Sequence, residues 1–129
     1  MKQLLMGLML LVTAVSASAE WTAAGDSDEF IQYVDRATIR RNGNFVKMSS
    51  LTDFKTVQKS AAGKSYLSEK QQAEYDCKEK KKRYFGLALY AGKMGSGKAV
   101  FSTSETSMTW FPIGRGGIGE TQWKIACGK

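Results

Sequence analysis

Histidine is absent from this chain of 129 residues. Without it, neither a Ser-His nor a Cys-His nucleophile pair can be built, and the commonest zinc ligand is missing. Carboxylates, lysine and tyrosine remain as candidates for catalysis, but the acidic residues form no spacing that is typical of an active site. The composition therefore argues against an enzyme, and no metal ion or other cofactor is expected.

The chain also lacks a hydrophobic run that is long enough to cross a membrane. Its main apolar run covers the twelve residues 4–15, whereas a bilayer core of about 30 Å needs roughly 20 helical residues. Met1 and Lys2 give a positive start, and residues 17–19 (Ala-Ser-Ala) match the small-x-small pattern that signal peptidase cleaves. We therefore expect residues 1–19 to be a cleaved signal peptide, and residues 20–129 to form a single periplasmic or secreted domain.

Cysteine occurs only twice, at Cys77 and Cys127. Both residues lie in the expected mature chain, and in an oxidising compartment they have a single intramolecular pairing. No Cys-x-x-Cys motif is present, so a redox or metal-binding role is poorly supported. The pattern predicts one disulfide, which closes a loop of about 50 residues and stabilises the domain by roughly 4 kcal/mol.

Acidic residues are fewer than basic ones. The full chain has 19 Lys and Arg against 12 Asp and Glu, and removal of Lys2 leaves 18 against 12, a net charge of +6 for residues 20–129. Outside the cytoplasm, a basic surface points to anionic partners such as lipid phosphates, acidic glycans or acidic protein patches. Nucleic acid would match this charge but not the compartment, and it is not expected as a partner.

Strand patterns dominate the expected mature chain. Aromatic and β-branched residues mark about six strands, of which residues 80–90 form the clearest. Residues 35–39 are expected to form a helical turn capped by Asp35, and residues 55–64 a polar loop. A short helix is expected from about residue 120 to Cys127, ended by Gly128. The predicted class is α+β, an antiparallel sheet of about six strands to which one disulfide ties a short C-terminal helix.

Two glycine-rich segments match nucleotide-binding motifs by their spacing. Residues 92–98 fit Gly-x-x-x-x-Gly-Lys, but Ala99 stands where the motif needs serine or threonine, and a strand follows instead of a helix. Residues 114–119 fit Gly-x-Gly-x-x-Gly, but only ten residues follow, too few for a βαβ unit. We interpret the first segment as a hairpin turn and the second as the connection to the helix.

The basic run that leads into the clearest strand is the candidate binding site. Lys80, Lys82 and Arg83 are expected to contact an anionic partner, with Tyr84 beside them. Side chains alternate between the two faces of a strand, so at most two or three of these charges act together. The alternative is that the lysines protect a sheet edge from pairing with other chains. Among the aromatic residues, Trp110 is the strongest candidate for a binding site.

Several segments follow one another in a recognisable order. Trp21 is followed by residues 35–44, by 74–78 (Glu-Tyr-Asp-Cys-Lys), by 95–98 (Gly-Ser-Gly-Lys) and by 124–127 (Lys-Ile-Ala-Cys). Together they resemble the surface-adhesin E family of Gram-negative bacteria, over essentially the whole of the mature chain. The resemblance implies six or so antiparallel strands, a C-terminal helix tied on by the predicted disulfide, and binding of host extracellular-matrix proteins.

We therefore predict an exported, non-enzymatic binding protein of the adhesin E type. Its expected partner is a host matrix protein or an anionic component of the cell envelope, and a homodimer is also considered. A lipid anchor would need a cysteine directly after the cleavage site, where Glu20 stands, so no stable membrane anchor is expected. The alternative is a soluble periplasmic protein that responds to envelope stress or acts as an inhibitor, with no adhesion role.

Overall fold

Most of the chain after the predicted signal peptide lies in one antiparallel sheet. The computed structural model describes residues 19–129, and the predicted signal peptide lies outside the described residues except for Ala19. The strands are β1 (Thr22–Asp26), β2 (Phe30–Asn42), β3 (Phe45–Lys59), β4 (Ser65–Asp76), β5 (Lys81–Tyr90), β6 (Ala99–Thr103) and β7 (Phe111–Pro112). Among the described residues, a three-residue 3-10 helix (Lys93–Gly95) lies between β5 and β6, and the α-helix α1 (Ile118–Cys127) follows β7. Within residues 19–129, no helix is long and apolar enough to span a membrane.

Each of the strands β1 to β6 pairs with the next one along the chain. The order in the sheet is β1-β2-β3-β4-β5-β6, and every pair is antiparallel. The two-residue strand β7 also pairs with β5. The prediction of about six antiparallel strands with a C-terminal helix is confirmed. The α+β label holds only loosely, because the ten residues of α1 are few beside those in strands.

The helical turn predicted at residues 35–39 is wrong, because β2 continues through this segment. From Asp35 to Arg40, β2 advances five residues while β3 advances only two, so β2 carries extra residues in a bulge. The Asp35 carboxylate accepts a hydrogen bond from the Ala37 amide at 3.1 Å, and the Thr38 hydroxyl donates to the Asp35 carbonyl at 2.6 Å. Asp35 therefore turns the chain locally without starting a helix.

The polar loop predicted at residues 55–64 is also wrong in its first half. β3 continues to Lys59, and residues 60–64 alone connect it to β4. The register between β3 and β4 also shifts here, because β3 advances five residues from Asp53 to Gln58 while their partners on β4 are only two residues apart. Residues 55–57 are exposed to solvent. Composition alone does not distinguish an exposed, mostly polar strand from a loop.

The hydrophobic core lies between α1 and one face of the sheet, which we call the inner face; the opposite face is the outer face. Its buried strand residues are Val34, Val46, Met48, Ala73 and Tyr75. Trp123 and Ala126 of α1 pack against them. The Trp123 indole N–H donates a buried hydrogen bond to the Asp76 carbonyl at 3.0 Å. Packing and this hydrogen bond together fix α1 on the sheet.

The predicted disulfide is confirmed and joins the end of β4 to the end of α1. Cys77 directly follows β4, and Cys127 is the last residue of α1. Beside the bond, the Arg41 guanidinium on β2 donates to the Cys127 carbonyl at 2.9 Å. The helix begins at Ile118, two residues earlier than predicted. It ends as predicted at Gly128, whose φ of 70° lies in the left-handed region that glycine adopts without strain.

A row of buried polar side chains crosses the inner face next to the core. The Thr52 hydroxyl donates to Gln32 Oε1 at 2.8 Å and accepts from the Gln71 amide at 2.9 Å. The Ser50 hydroxyl donates to Gln71 Oε1 at 2.9 Å. Every buried side-chain nitrogen and oxygen in the described part of the chain has a hydrogen-bond partner. The row therefore links β2, β3 and β4 without leaving an unpaired polar group.

β6 and β7 lie one after the other along the same edge of β5. β6 pairs with residues 87–90 and β7 with Lys81 and Lys82. Between the two strands, the Ser107 amide donates to the Tyr84 carbonyl at 2.7 Å. We call residues 99–113 the edge segment. Because it accompanies β5 along its length, β5 is an interior strand.

Candidate binding surface

The basic residues of β5 are divided between the two faces of the sheet. Lys82 and Tyr84 stand opposite core residues of β4, so they lie on the inner face. Lys81 and Arg83 stand opposite the acidic residues Asp76 and Glu74, so they lie on the outer face.

Lys80 precedes β5, in the turn after β4, and its side chain is engaged with α1. Its φ of 52° is left-handed. The ammonium forms an ion pair with Glu120 and lies 5.3 Å from the centre of the Trp123 ring. The hydrogen bond from Lys80, together with one from the Gly116 amide, holds the pKa of Glu120 below its usual range. Lys80 therefore has a partner within the domain.

Lys82 and Tyr84 form a pair on the inner face. The Lys82 ammonium lies 5.3 Å from the centre of the Tyr84 ring, and both residues are half-buried. Tyr84 also packs against the core and against Phe111 of β7, with ring centres 6.3 Å apart. Among the described residues, no carboxylate forms an ion pair with Lys82.

Arg83 is held on the outer face by a carboxylate and an aromatic ring. Its Nε and Nη2 lie 2.9 Å and 2.8 Å from Glu74 Oε1, and its guanidinium lies 4.5 Å from the centre of the Trp110 ring. The four predicted site residues thus lie in three separate environments of the fold. Lys82 and Tyr84 lie together, while Lys80 and Arg83 lie apart from them and from each other. Their role in binding stays a prediction, and the surface proposed below includes Arg83 but not the other three.

Further cations and aromatic rings surround Arg83 on the outer face, opposite the side that α1 covers. The Lys81 ammonium lies 5.4 Å from the centre of the Trp110 ring, and the Lys47 ammonium 4.8 Å from the centre of the Phe85 ring. The rings of Trp110 and Phe45 have centres 5.8 Å apart. We call this set the basic-aromatic face; its residues are Phe45, Lys47, Lys81, Arg83, Phe85 and Trp110.

Strand register explains how residues distant in sequence meet on this face. Lys47, Glu74 and Arg83 stand in one row across β3, β4 and β5. Neighbouring strands lie about 4.8 Å apart, so Lys47 and Arg83 stand on either side of Glu74, but only Arg83 forms an ion pair with it. The basic run and Trp110 were singled out from the sequence, but Lys47 was missed. The alternation of side chains along β3 predicts the face of the sheet on which Lys47 lies. Only the pairing of β3 with β4 shows which residues stand beside Lys47.

A shallow groove of about 360 Å³ continues the basic-aromatic face across β4, β5 and β6. Phe85 belongs to both, and Lys70, Gln72, Ser102 and Thr103 are among the other lining residues. Aromatic, amide, hydroxyl and ammonium groups therefore line one depression. Gly86, Leu87 and Ala88 also line it, so the groove suits a ligand that has both apolar and hydrogen-bonding groups.

An apolar cavity of about 350 Å³ lies elsewhere on β5 and β6. Leu87, Leu89, Val100 and Phe101 line it together with part of the loop at residues 60–64. None of the predicted site residues and none of the basic-aromatic face lies in it.

The glycine-rich segment at residues 92–98 connects β5 to β6, as predicted, and folds onto the sheet. The Gly95 amide donates to the Ser68 hydroxyl at 2.8 Å, and the Met94 amide donates to Asp53 Oδ1 at 2.9 Å. These amides are thus engaged within the protein and not arranged around a phosphate. The second segment, residues 114–119, leads into α1 as expected. Within residues 19–129, no group of His, Cys, Asp or Glu side chains could hold a metal ion.

Comparison with known proteins identifies one family and one set of similar structures. Residues 21–128 match the family described as surface-adhesin protein E. Crystal form II of Haemophilus influenzae protein E is similar with a TM-score of 0.62 at 11% identity, over 87% of this chain and 97% of that one. Protein E from non-typeable Haemophilus influenzae has a TM-score of 0.58 at 11% identity, over 86% of each chain. No curated protein sequence matches the chain.

Proposed function

Since this chain belongs to the surface-adhesin protein E family, we propose that it is an exported, non-enzymatic protein that binds a partner through the outer face of its sheet. The proposed partner is a host extracellular-matrix protein or another anionic component outside the cytoplasm. Membership of an adhesin family supports binding over catalysis. The positive charge of the mature chain supports an anionic partner.

The observation that carries this proposal is the concentration of cations on the outer face. Lys47 and Lys81 have no carboxylate partner among the described residues, and Arg83 shares Glu74 with no other cation. Like charges close together on a sheet destabilise it unless something compensates them. Binding of an anionic partner supplies that compensation.

The alternative role of these cations as edge protection is less well supported. Edge-protecting lysines lie on strands with a free side. β5 pairs with β4 on one side and with β6 and β7 on the other. Lys81 and Arg83 therefore do not guard an open edge.

The ionic-strength dependence of binding tests the electrostatic part of the proposal. The purified protein would be applied to a panel of immobilised host matrix proteins at low and at high salt. We expect binding that weakens as salt rises, because exposed charges are screened within about 10 Å at 0.1 M ionic strength. Affinity that is unchanged between the two conditions would contradict a role for the cations.

Cell fractionation tests the adhesion part and separates it from the alternative of a soluble periplasmic protein. Intact cells would be treated with protease, and the protein followed in whole-cell, periplasmic and culture fractions. Digestion on intact cells or release into the medium supports contact with a host. Protein confined to the soluble periplasm and protected from protease would contradict adhesion, and favour a role in envelope stress or inhibition.

A further inference from the structure

We infer that the basic-aromatic face and the groove beside it bind an acidic polysaccharide, a chain of sugar rings that carry carboxylate or sulfate groups. This inference rests on the proposed function, because it names the chemistry of the partner at the same surface. Three features of the outer face support it: cations of which only Arg83 has a carboxylate partner, flat rings between them, and a groove with hydrogen-bonding side chains that continues from them.

The cations form a row that the protein neutralises only at Arg83. Arg40 of β2 stands directly opposite Lys47 of β3, and the same row continues through Glu74 to Arg83. Glu74 is already engaged by Arg83. The neighbouring acid, Asp76, is 4% exposed, and its carboxylate accepts the amides of the turn that follows β4. A ligand with repeated negative groups would balance this row.

The rings give the surface a second kind of contact. Phe45 is 40% exposed, and Trp110 and Phe85 are half-buried beside the cations. The C–H faces of a sugar ring pack against flat aromatic rings, whereas an acidic peptide would mainly use the charges. Alternation of rings with cations therefore fits a ligand that has both apolar ring faces and charged substituents.

The groove extends the surface beyond the charged row. From Phe85 it passes Gln72 and reaches the hydroxyl residues Ser102 and Thr103 of β6. Amide and hydroxyl side chains both donate and accept hydrogen bonds, as sugar hydroxyls do. Lys70 adds a cation within the groove. A linear polysaccharide crossing the strands would thus meet charged, stacking and hydrogen-bonding groups in succession.

Single-stranded nucleic acid also binds surfaces that combine cations with rings. We favour the polysaccharide because the family is one of surface adhesins, whose partners lie outside the cell. Binding of single-stranded nucleic acid is one of the results that the test below can distinguish.

The test compares defined polymers and matched variants of the full-length purified protein. The polymers are heparin, hyaluronan, neutral dextran, polyglutamate and oligothymidylate, and affinity is measured at one fixed salt concentration. The charge variant K47Q/K81Q removes two cations from the basic-aromatic face. The control K64Q/K98Q removes two exposed lysines from connections at the other end of the sheet, with the same change in net charge. A third variant, Phe85→Leu, keeps an apolar side chain but removes the flat ring.

We expect heparin and hyaluronan to bind, and K47Q/K81Q to weaken that binding about tenfold or more while K64Q/K98Q changes it little. Phe85→Leu is expected to weaken polysaccharide binding and to leave any polyglutamate binding unchanged. Thermal melts of all three variants check that the fold is retained. Equal losses for both charge pairs, or equal or tighter binding of polyglutamate or oligothymidylate, would overturn the inference.

Failure of this inference is distinguishable from failure of the proposed function. If K47Q/K81Q loses binding to a matrix protein while no polysaccharide binds, the outer face is the binding surface but its ligand is not a polysaccharide. If K47Q/K81Q leaves binding to every tested partner unchanged, both proposals fail.

Discussion

Replacing both cysteines with alanine (C77A/C127A) should lower the free energy of unfolding by about 4 kcal/mol. The disulfide spans 50 residues. In the chain-entropy relation, a closed loop of this size removes about 14 cal/mol/K from the unfolded chain, which corresponds to about 4 kcal/mol at 25 °C. Both cysteines are buried in the core, but the other core residues around α1 and the hydrogen bond from Trp123 to the Asp76 carbonyl do not involve the bridge. The loss is therefore expected to come mainly from the unfolded state.

Urea denaturation followed by tryptophan fluorescence measures this loss directly, because Trp123 of α1 is buried in the core. The dependence of the unfolding free energy on urea should become steeper in the variant, since an unfolded chain without the cross-link exposes more surface. The wild-type protein under reducing conditions serves as the control, and its stability should match that of the variant. A loss below about 1 kcal/mol would refute the entropy argument.

Three further predictions concern how the sheet and helix are held together. Thr52→Val leaves the side-chain amides of the buried Gln32 and Gln71 without their hydroxyl partner. It should therefore lower the free energy of unfolding, measured by urea denaturation, by about 2–4 kcal/mol. A loss as small as that caused by the same substitution at an exposed threonine would contradict the hydrogen-bonded row. Gly25→Ala places a Cβ 2.6 Å from Cγ1 of Ile118, so the Ile118 side chain or α1 must move, at an expected cost of about 1–3 kcal/mol. Unchanged stability in the same assay would contradict tight packing at this contact. The ion pair of Glu120 stabilises the fold fully above the ordinary glutamate pKa of 4.5 and is lost as the pH falls through its lowered pKa in the folded state. The difference in melting temperature between wild type and E120Q should therefore be present at neutral pH and disappear in acid, and a difference that is independent of pH would contradict it.

Local signals in the sequence predicted most of the sheet, the helix and the disulfide. The strand at residues 80–90, the stop at Gly128 and the pairing of Cys77 with Cys127 each depend on nearby residues or on the number of cysteines. The two errors lie where pairing with another strand decides the conformation. Asp35 has the side chain of a helix cap, but pairing of β2 with β3 keeps the segment extended. Residues 55–59 are mostly polar and exposed, as in a loop, but pairing of Gln58 and Lys59 with β4 keeps the segment in the strand.

The candidate surface was predictable only in part, for the same reason. Alternation along β5 correctly divides its cations between two faces. It does not show that Lys80 reaches Glu120, since that contact depends on where α1 packs. Nor does it show that Lys47 and Phe45 lie near Trp110, because register across three strands and the path of the edge segment bring them together. Contacts between distant segments require the folded structure.

Two adjacent lysines provide the most direct test of the claim that the outer face binds the partner. Lys81 and Lys82 are neighbours in sequence with the same charge, but they lie on opposite faces of the sheet. Binding of K81Q and K82Q to an immobilised extract of host extracellular matrix would be measured at low salt. We expect K81Q to bind several-fold more weakly than wild type and K82Q to bind like wild type. Equal affinity of the two variants, or a larger loss for K82Q, would contradict it.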